Sequence, residues 1–142
     1  MVQNQNHIEQ IFDDYRMIAI IIYADYKCNG TEFFTPNNFS QQLASIHRPK
    51  GHQLQAHMHK PVPRNVKHTQ ETLFIKKGKV QINFYDENQA YLDHRILKTG
   101  DVVLLVSGGH DFTMLEDTDM IEVKQGPYAG EDDKIRFAGV NE

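Results

Sequence analysis

The chain has 142 residues, 39% hydrophobic and 24% charged, which is apolar material for one globular core and length for a single domain. Its formal charge of −4, from 15 basic and 19 acidic residues, comes without a Lys/Arg stripe interleaved with aromatics, and this excludes nucleic acid as an expected partner. The longest apolar run, Met17 to Tyr23, is too short to cross a bilayer, and the polar opening MVQNQNH lacks the layout of a secretory signal, so no membrane partner and a cytoplasmic location are expected.

In chain order, the first element is ambiguous. Ile8, Ile11, Phe12 and Tyr15 fit a helical stripe, but so short a helix is marginal in water. A hairpin turning at Asp13 to Arg16 is the favoured reading, because the following run, MIAIIIY, is rich in β-branched residues and needs a neighbouring strand. Left on a sheet edge, such a run invites aggregation. A second subunit is therefore expected to cover it, which makes the chain a homodimer. Further on, TLFIKK, KVQINFY, VVLLV, FTML and MIEVK are separated by turn-prone LysGly, AspGluAsn, SerGlyGly and GluAspThrAsp. These regular short strands predict an all-β fold, a sandwich or a barrel. In KVQINFY, Val80, Ile82 and Phe84 alternate with Gln81, Asn83 and Tyr85, predicting one buried face and one wetter face on a sheet with an open side. In MIEVK, burial favours Ile121 and Val123 inside and Glu122 with Lys124 outside. With the polar pair inside instead, Glu122 becomes a general acid/base candidate.

Chemistry concentrates between Gly51 and Gly78, GHQLQAHMHKPVPRNVKHTQETLFIKKG. On a strand His57 and His59 project to one face, together with Gln55, so two imidazoles can share a cation. Glu71 shares a face with Leu73 and Ile75, where an unpaired carboxylate is costly. The single cysteine, Cys28, excludes both a disulfide within the chain and a thiolate cluster, which leaves nitrogen and oxygen donors for any metal. Between His59 and Glu71, Arg64, Lys67 and Gln70 can meet a carboxylate or phosphate ligand, with Pro61 and Pro63 stiffening the segment. His68 is a further candidate beside a metal, and Tyr128 is placed to close a pocket rim.

These residues resemble the first motif of the cupin superfamily: a glycine, five residues, His-x-His, a spacer, a glutamate, six residues and a glycine. Gly51, His57, His59, Glu71 and Gly78 fill those places; the spacer from His59 to Glu71 is eleven residues, where the motif has three or four. GDVVLLVSGGHDF, Gly100 to Phe112, is similar to the second motif, with Val106 in place of its proline and His110 one residue early. On a strand a one-residue shift turns a side chain to the other face. If Gly108 and Gly109 form a turn that absorbs it, His110, Phe112 and Met114 share an inward face.

The resemblance implies a double-stranded β-helix, the jelly roll or cupin barrel, with an N-terminal β extension. Residues 1–142 then form one domain: N-terminal strands and a dimer contact in 1–45, the barrel core in 46–126 and a tail in 127–142. It also implies one divalent metal held by His57, His59, Glu71 and His110. Three imidazoles and a carboxylate suit Mn, Fe, Co, Ni, Cu or Zn better than Ca or Mg. Coordination positions left open make such a site able to bind substrate. The expected function is a metal-dependent enzyme, an isomerase or epimerase or a dioxygenase, acting on a small oxygen-rich metabolite such as a sugar or carboxylate. Glu71 is then a ligand and possible acid/base. The alternative is a non-catalytic module that binds a metal and a small molecule as sensor or accessory protein. A metal-free sugar-nucleotide epimerase of the same fold fits less well, having no need of clustered imidazoles.

Overall fold

A computed structural model of the chain describes residues 7–141. It contains ten strands: β1 (Ile8–Asp13), β2 (Arg16–Ile22), β3 (Gly30–Phe33), β4 (Ala44–His47), β5 (Glu71–Lys77), β6 (Lys79–Tyr85), β7 (Tyr91–Lys98), β8 (Val102–Leu105), β9 (Gly109–Met114) and β10 (Asp119–Lys124). All pairings are antiparallel, and the described residues hold no α-helix. The expected all-β class is what is found. Among the described residues the sheets do not close into a barrel, and no helix is long and apolar enough to cross a membrane.

Two compact units divide the chain, one made of Met1–Tyr26 with Thr69–Glu142, the other of Lys27–His68. The larger unit holds a five-stranded sheet, ordered β1-β2-β8-β5-β10, and a three-stranded sheet, ordered β7-β6-β9. Ile21, Leu73, Ile75 and Val103 from the first sheet pack with Val80, Ile82, Phe84 and Leu97 from the second in one apolar cluster, so the core lies between two layers. The smaller unit holds the β3–β4 hairpin, with register Gly30↔His47 to Phe33↔Ala44.

The amino-terminal hairpin forms as expected, turning at Asp14 and Tyr15. Asp14 takes a left-handed backbone, φ 49°, which aspartate tolerates better than most residues. β2 lies between β1 and β8, and Ile18 to Ile21 are buried. The neighbour expected from a second subunit is thus β8 of the same chain, because the four-residue VVLL strand supplies a matching apolar ladder, Ala19↔Leu105 to Ile22↔Val102.

Two expected faces are reversed or altered. On β10 the polar residues take the side expected of the aliphatic pair: Glu122 pairs with Leu73 and Lys124 with Glu71, on the core side of β5, although Glu122 itself stays exposed, while Ile121 and Val123 on the other side are 50% and 59% exposed. Register against β5 overrides single-strand hydrophobicity here, since Leu73 and Ile75 already fill the core beside Met120. On β6 both faces are covered, with Asn83 only 1% exposed. Its second face is closed by the carboxy-terminal segment, where Phe137 meets the Tyr85 ring edge-on at 5.1 Å and the Val140 N–H donates to the Tyr85 hydroxyl at 3.1 Å.

An ion pair between Arg95 and Glu9 joins the layers. Arg95 on β7 donates through Nε and Nη2 to both carboxylate oxygens of Glu9 on β1, at 2.9 Å each for the shorter contacts, and the Tyr23 hydroxyl donates to Glu9 at 2.8 Å. The Arg95 hydrogen bonds hold the Glu9 carboxyl below its ordinary value against partial burial, which pushes it up; Tyr23 adds to the lowering. The folded-state value being lowered, this stabilisation is complete above the ordinary value of 4.5 and is lost as pH falls through the lowered one. Arg95→Met is expected to cost about 1–2 kcal/mol at neutral pH. In urea titrations the difference from wild type should narrow toward pH 3; a difference that stays constant with pH would remove Glu9 from the account.

Candidate metal centre

Glu71 opens β5 and His110 is the second residue of β9. Opposite β9 on β6, His110, Phe112 and Met114 meet Phe84, Ile82 and Val80, all core residues. His110 therefore faces inward despite its early position. The Ser107–Gly108–Gly109 bend absorbs the shift: Gly108 takes φ 71°, and a Cβ there would collide with the Tyr85 carbonyl and stand 3.2 Å from Ile18.

Nε2 of His110 lies 3.4 Å from Oε2 of Glu71, and Glu122 of the neighbouring strand lines the same cavity wall. The His110 contact holds the Glu71 carboxyl below its ordinary range, against the burial that pushes it up. The ring of Phe112, 5.4 Å from that of His110, supports the imidazole. These groups open on a cavity of about 810 Å³, whose further walls are Leu105, the Ser107–Gly109 bend and Asp133 to Phe137 of the carboxy-terminal segment. A carboxylate and an imidazole nitrogen in contact at a cavity wall are hard and borderline donors of the kind a divalent transition metal takes.

His57 and His59 lie in the smaller unit. Their rings stand edge to face with centroids 5.3 Å apart, and Nδ1 of His57 is 3.0 Å from the carbonyl oxygen of Gln55. The two imidazoles are neighbours, as their spacing predicts, but the expected strand is not formed: no strand is assigned between His47 and Glu71. Pro61 and Pro63 withhold N–H groups from any ladder, and every residue from Gly51 to His68 is exposed. Arg64, Lys67 and His68 share that exposure, and so does the Gln55 side chain. Gln70, by contrast, is buried in the larger unit, its N–H donating to the Gln125 side chain at 2.5 Å. Tyr128 is 88% exposed and does not line the cavity. Cys28 is a free thiol, its Sγ 3.7 Å from the Gly30 carbonyl oxygen. Among the described residues, no three His, Cys, Asp or Glu side chains are grouped so as to hold a metal; the four candidate ligands stand as two pairs, one in each unit.

Sequence patterns did not single out Tyr85, Asp111 or residues 133–139. Asp111 accepts from the Asn83 amide at 2.8 Å and from the Tyr85 hydroxyl. A Cβ on Gly139 would stand 2.6 Å from Oδ2 of Asp111 and 2.9 Å from the Tyr85 hydroxyl. A side chain there would force Asp111 or Tyr85 to shift, a signal visible in the sequence only as one more turn residue. Comparison with family models, curated proteins and solved structures gives no match to this chain.

Proposed function

We propose that the chain is a mononuclear metal-binding protein of the cupin, double-stranded β-helix type, working as a cytoplasmic homodimer. His57, His59, Glu71 and His110 are its ligands. The reading is carried by one observation: Glu71 and His110, far apart in sequence, meet on the inward face at a cavity large enough for a small metabolite. A sugar or a carboxylate suits that cavity. A bound divalent transition metal would polarise a carbonyl or hold adjacent oxygens of the ligand. Around it, Lys134 at the cavity wall offers a cation to an anionic group, and Lys124 adds positive charge beside Glu71. Glu122, at the wall of the same cavity, is placed to take up or give a proton there. The reaction class proposed is isomerisation or dioxygenation of an oxygen-rich metabolite.

The test is metal content. Protein prepared without chelator and then offered Mn, Fe, Co, Ni, Cu or Zn should retain about one equivalent per chain, and the His57→Ala/His59→Ala variant should retain little. Wild-type protein that stays metal-free after these additions would overturn the proposal. Loaded protein screened for oxygen uptake and for sugar isomerisation then assigns the class; tight binding without turnover would make it a sensor or accessory module.

A further inference from the structure

The residues lining the cavity beside Glu71 and His110 all belong to the larger unit, and its charges are sorted by element. Glu71, Asp111 and Glu122 stand on β5, β9 and β10, whereas the cations Lys134 and Arg136 stand on the carboxy-terminal segment. Asp133 on that segment accepts from the Thr69 hydroxyl at 2.5 Å, and Asp111 is engaged by Asn83 and Tyr85. Arg136 has a partner too. Its Nε and Nη2 donate to the two carboxylate oxygens of Glu131, in the preceding 3₁₀ turn, at 2.9 and 2.8 Å. Arg136 first, and Lys134 more weakly, hold the Glu131 carboxyl below its ordinary value.

This pair contributes little to the fold. The Arg136 and Glu131 side chains are 70% and 72% exposed, where water screens an ion pair. The segment is fastened by other contacts: Asp133 to Thr69, the Phe137 ring against Tyr85, and the Val140 N–H to the Tyr85 hydroxyl. What the pair does show is that a planar carboxylate fits the Arg136 fork at the cavity wall. A carboxylate on a ligand can take the same two hydrogen bonds, and giving up so exposed a partner costs little.

We propose that the ligand of this cavity is a polyhydroxy carboxylate, a sugar acid, whose carboxylate binds Arg136 by displacing Glu131. Lys134 adds a second positive charge. The proposal rests on the cavity being the metabolite site, and it narrows the ligand class of that reading; it does not depend on the metal. Charge sets the direction of binding. A carboxylate turned to the strands would meet Glu71 and Glu122, so the anionic end lies at the carboxy-terminal segment and the neutral end at Glu71 and His110. Hydroxyls suit that end because they donate to carboxylates, whereas an apolar end would leave these polar groups unpaired.

NMR titrations of the full chain with D-gluconate and its neutral counterpart D-glucitol, each with and without one equivalent of zinc(II), test this. Gluconate should shift the Arg136 Nε–H together with the backbone amides of Glu71 and His110, and bind at least about tenfold more tightly than glucitol. Arg136→Gln should remove most of that preference. Glu131→Gln should raise gluconate affinity about two- to fivefold and leave glucitol unchanged. Equal affinities for the two compounds, or an Arg136→Gln variant that holds gluconate as wild type does, would overturn this inference and leave the metabolite site standing. An unchanged gluconate affinity in Glu131→Gln would overturn the displacement of Glu131. If neither compound shifts those amides, the reading of the cavity as the metabolite site fails, and this inference with it.

Discussion

Asp111→Ala is expected to lower the free energy of unfolding by about 2–4 kcal/mol, the largest single-site effect on stability outside the apolar core. Asp111 accepts from two side chains on β6, Asn83 and Tyr85, each 1% exposed. Removing the carboxylate takes the acceptor from two donors that are almost fully buried. The Gln81 amide donates to Oδ1 of Asn83 at 3.0 Å, so the loss reaches a third residue of the same strand. Burial already pushes the Tyr85 hydroxyl above its ordinary value, and the Asp111 hydrogen bond pushes it further, which marks that hydroxyl as a committed donor. Asp111→Asn retains one acceptor oxygen and should cost about half as much. Urea unfolding of the two variants measures this. A loss for alanine within about 0.5 kcal/mol of wild type would show that the network rearranges.

Glu71→Gln is expected to weaken metal binding by at least about 100-fold, while Glu122→Gln changes it by less than about tenfold. Losing a group that merely orients a ligand costs 10- to 100-fold, so losing the charged ligand itself should reach or exceed the upper end. The two carboxylates line one cavity, and their separation by effect is the point of the comparison. Competition titration against a chelator of known affinity reads both. Equal losses would mean that the pair binds as a unit; an unaffected Glu71→Gln would remove that residue from the ligand set.

The residues that were legible in the sequence are those whose neighbours share their pattern. The hairpin at Asp14, the long apolar β2 and the alternating β6 follow from β-branched runs and turn residues alone. The inward face of Glu71 follows from Leu73 and Ile75 on its own strand, and β9 carries His110 on the core side as its GlyGly bend suggests. Other features needed information held elsewhere in the chain. β7 is interrupted by Asp93, His94 and Arg95, tolerated because that edge strand pairs with β6 only. β3 and β4 are four residues each, below the length at which periodicity speaks. The facing of β10 depends on register against β5, which Ile121 and Val123 cannot reveal by themselves. In the His57–His59 stretch the alternation is present and the ladder is not. Hydrophobic pattern specifies which side a strand turns, but the partner must come from elsewhere.

The covering of β6 by the carboxy-terminal segment divides labour within the chain. Asp133 to Phe137 form a wall of the cavity and belong to no strand; their only regular structure is a 3₁₀ turn that ends at Asp133. Substitutions at Lys134, Ile135 or Arg136 therefore reshape the space open to a ligand without altering a single rung of either sheet. Selectivity for a ligand can drift by exchange of these few side chains while Gly139, packed on Asp111, keeps the wall attached. Directed evolution aimed at new ligands has its most permissive target there, in the part of the molecule that least resembles a scaffold.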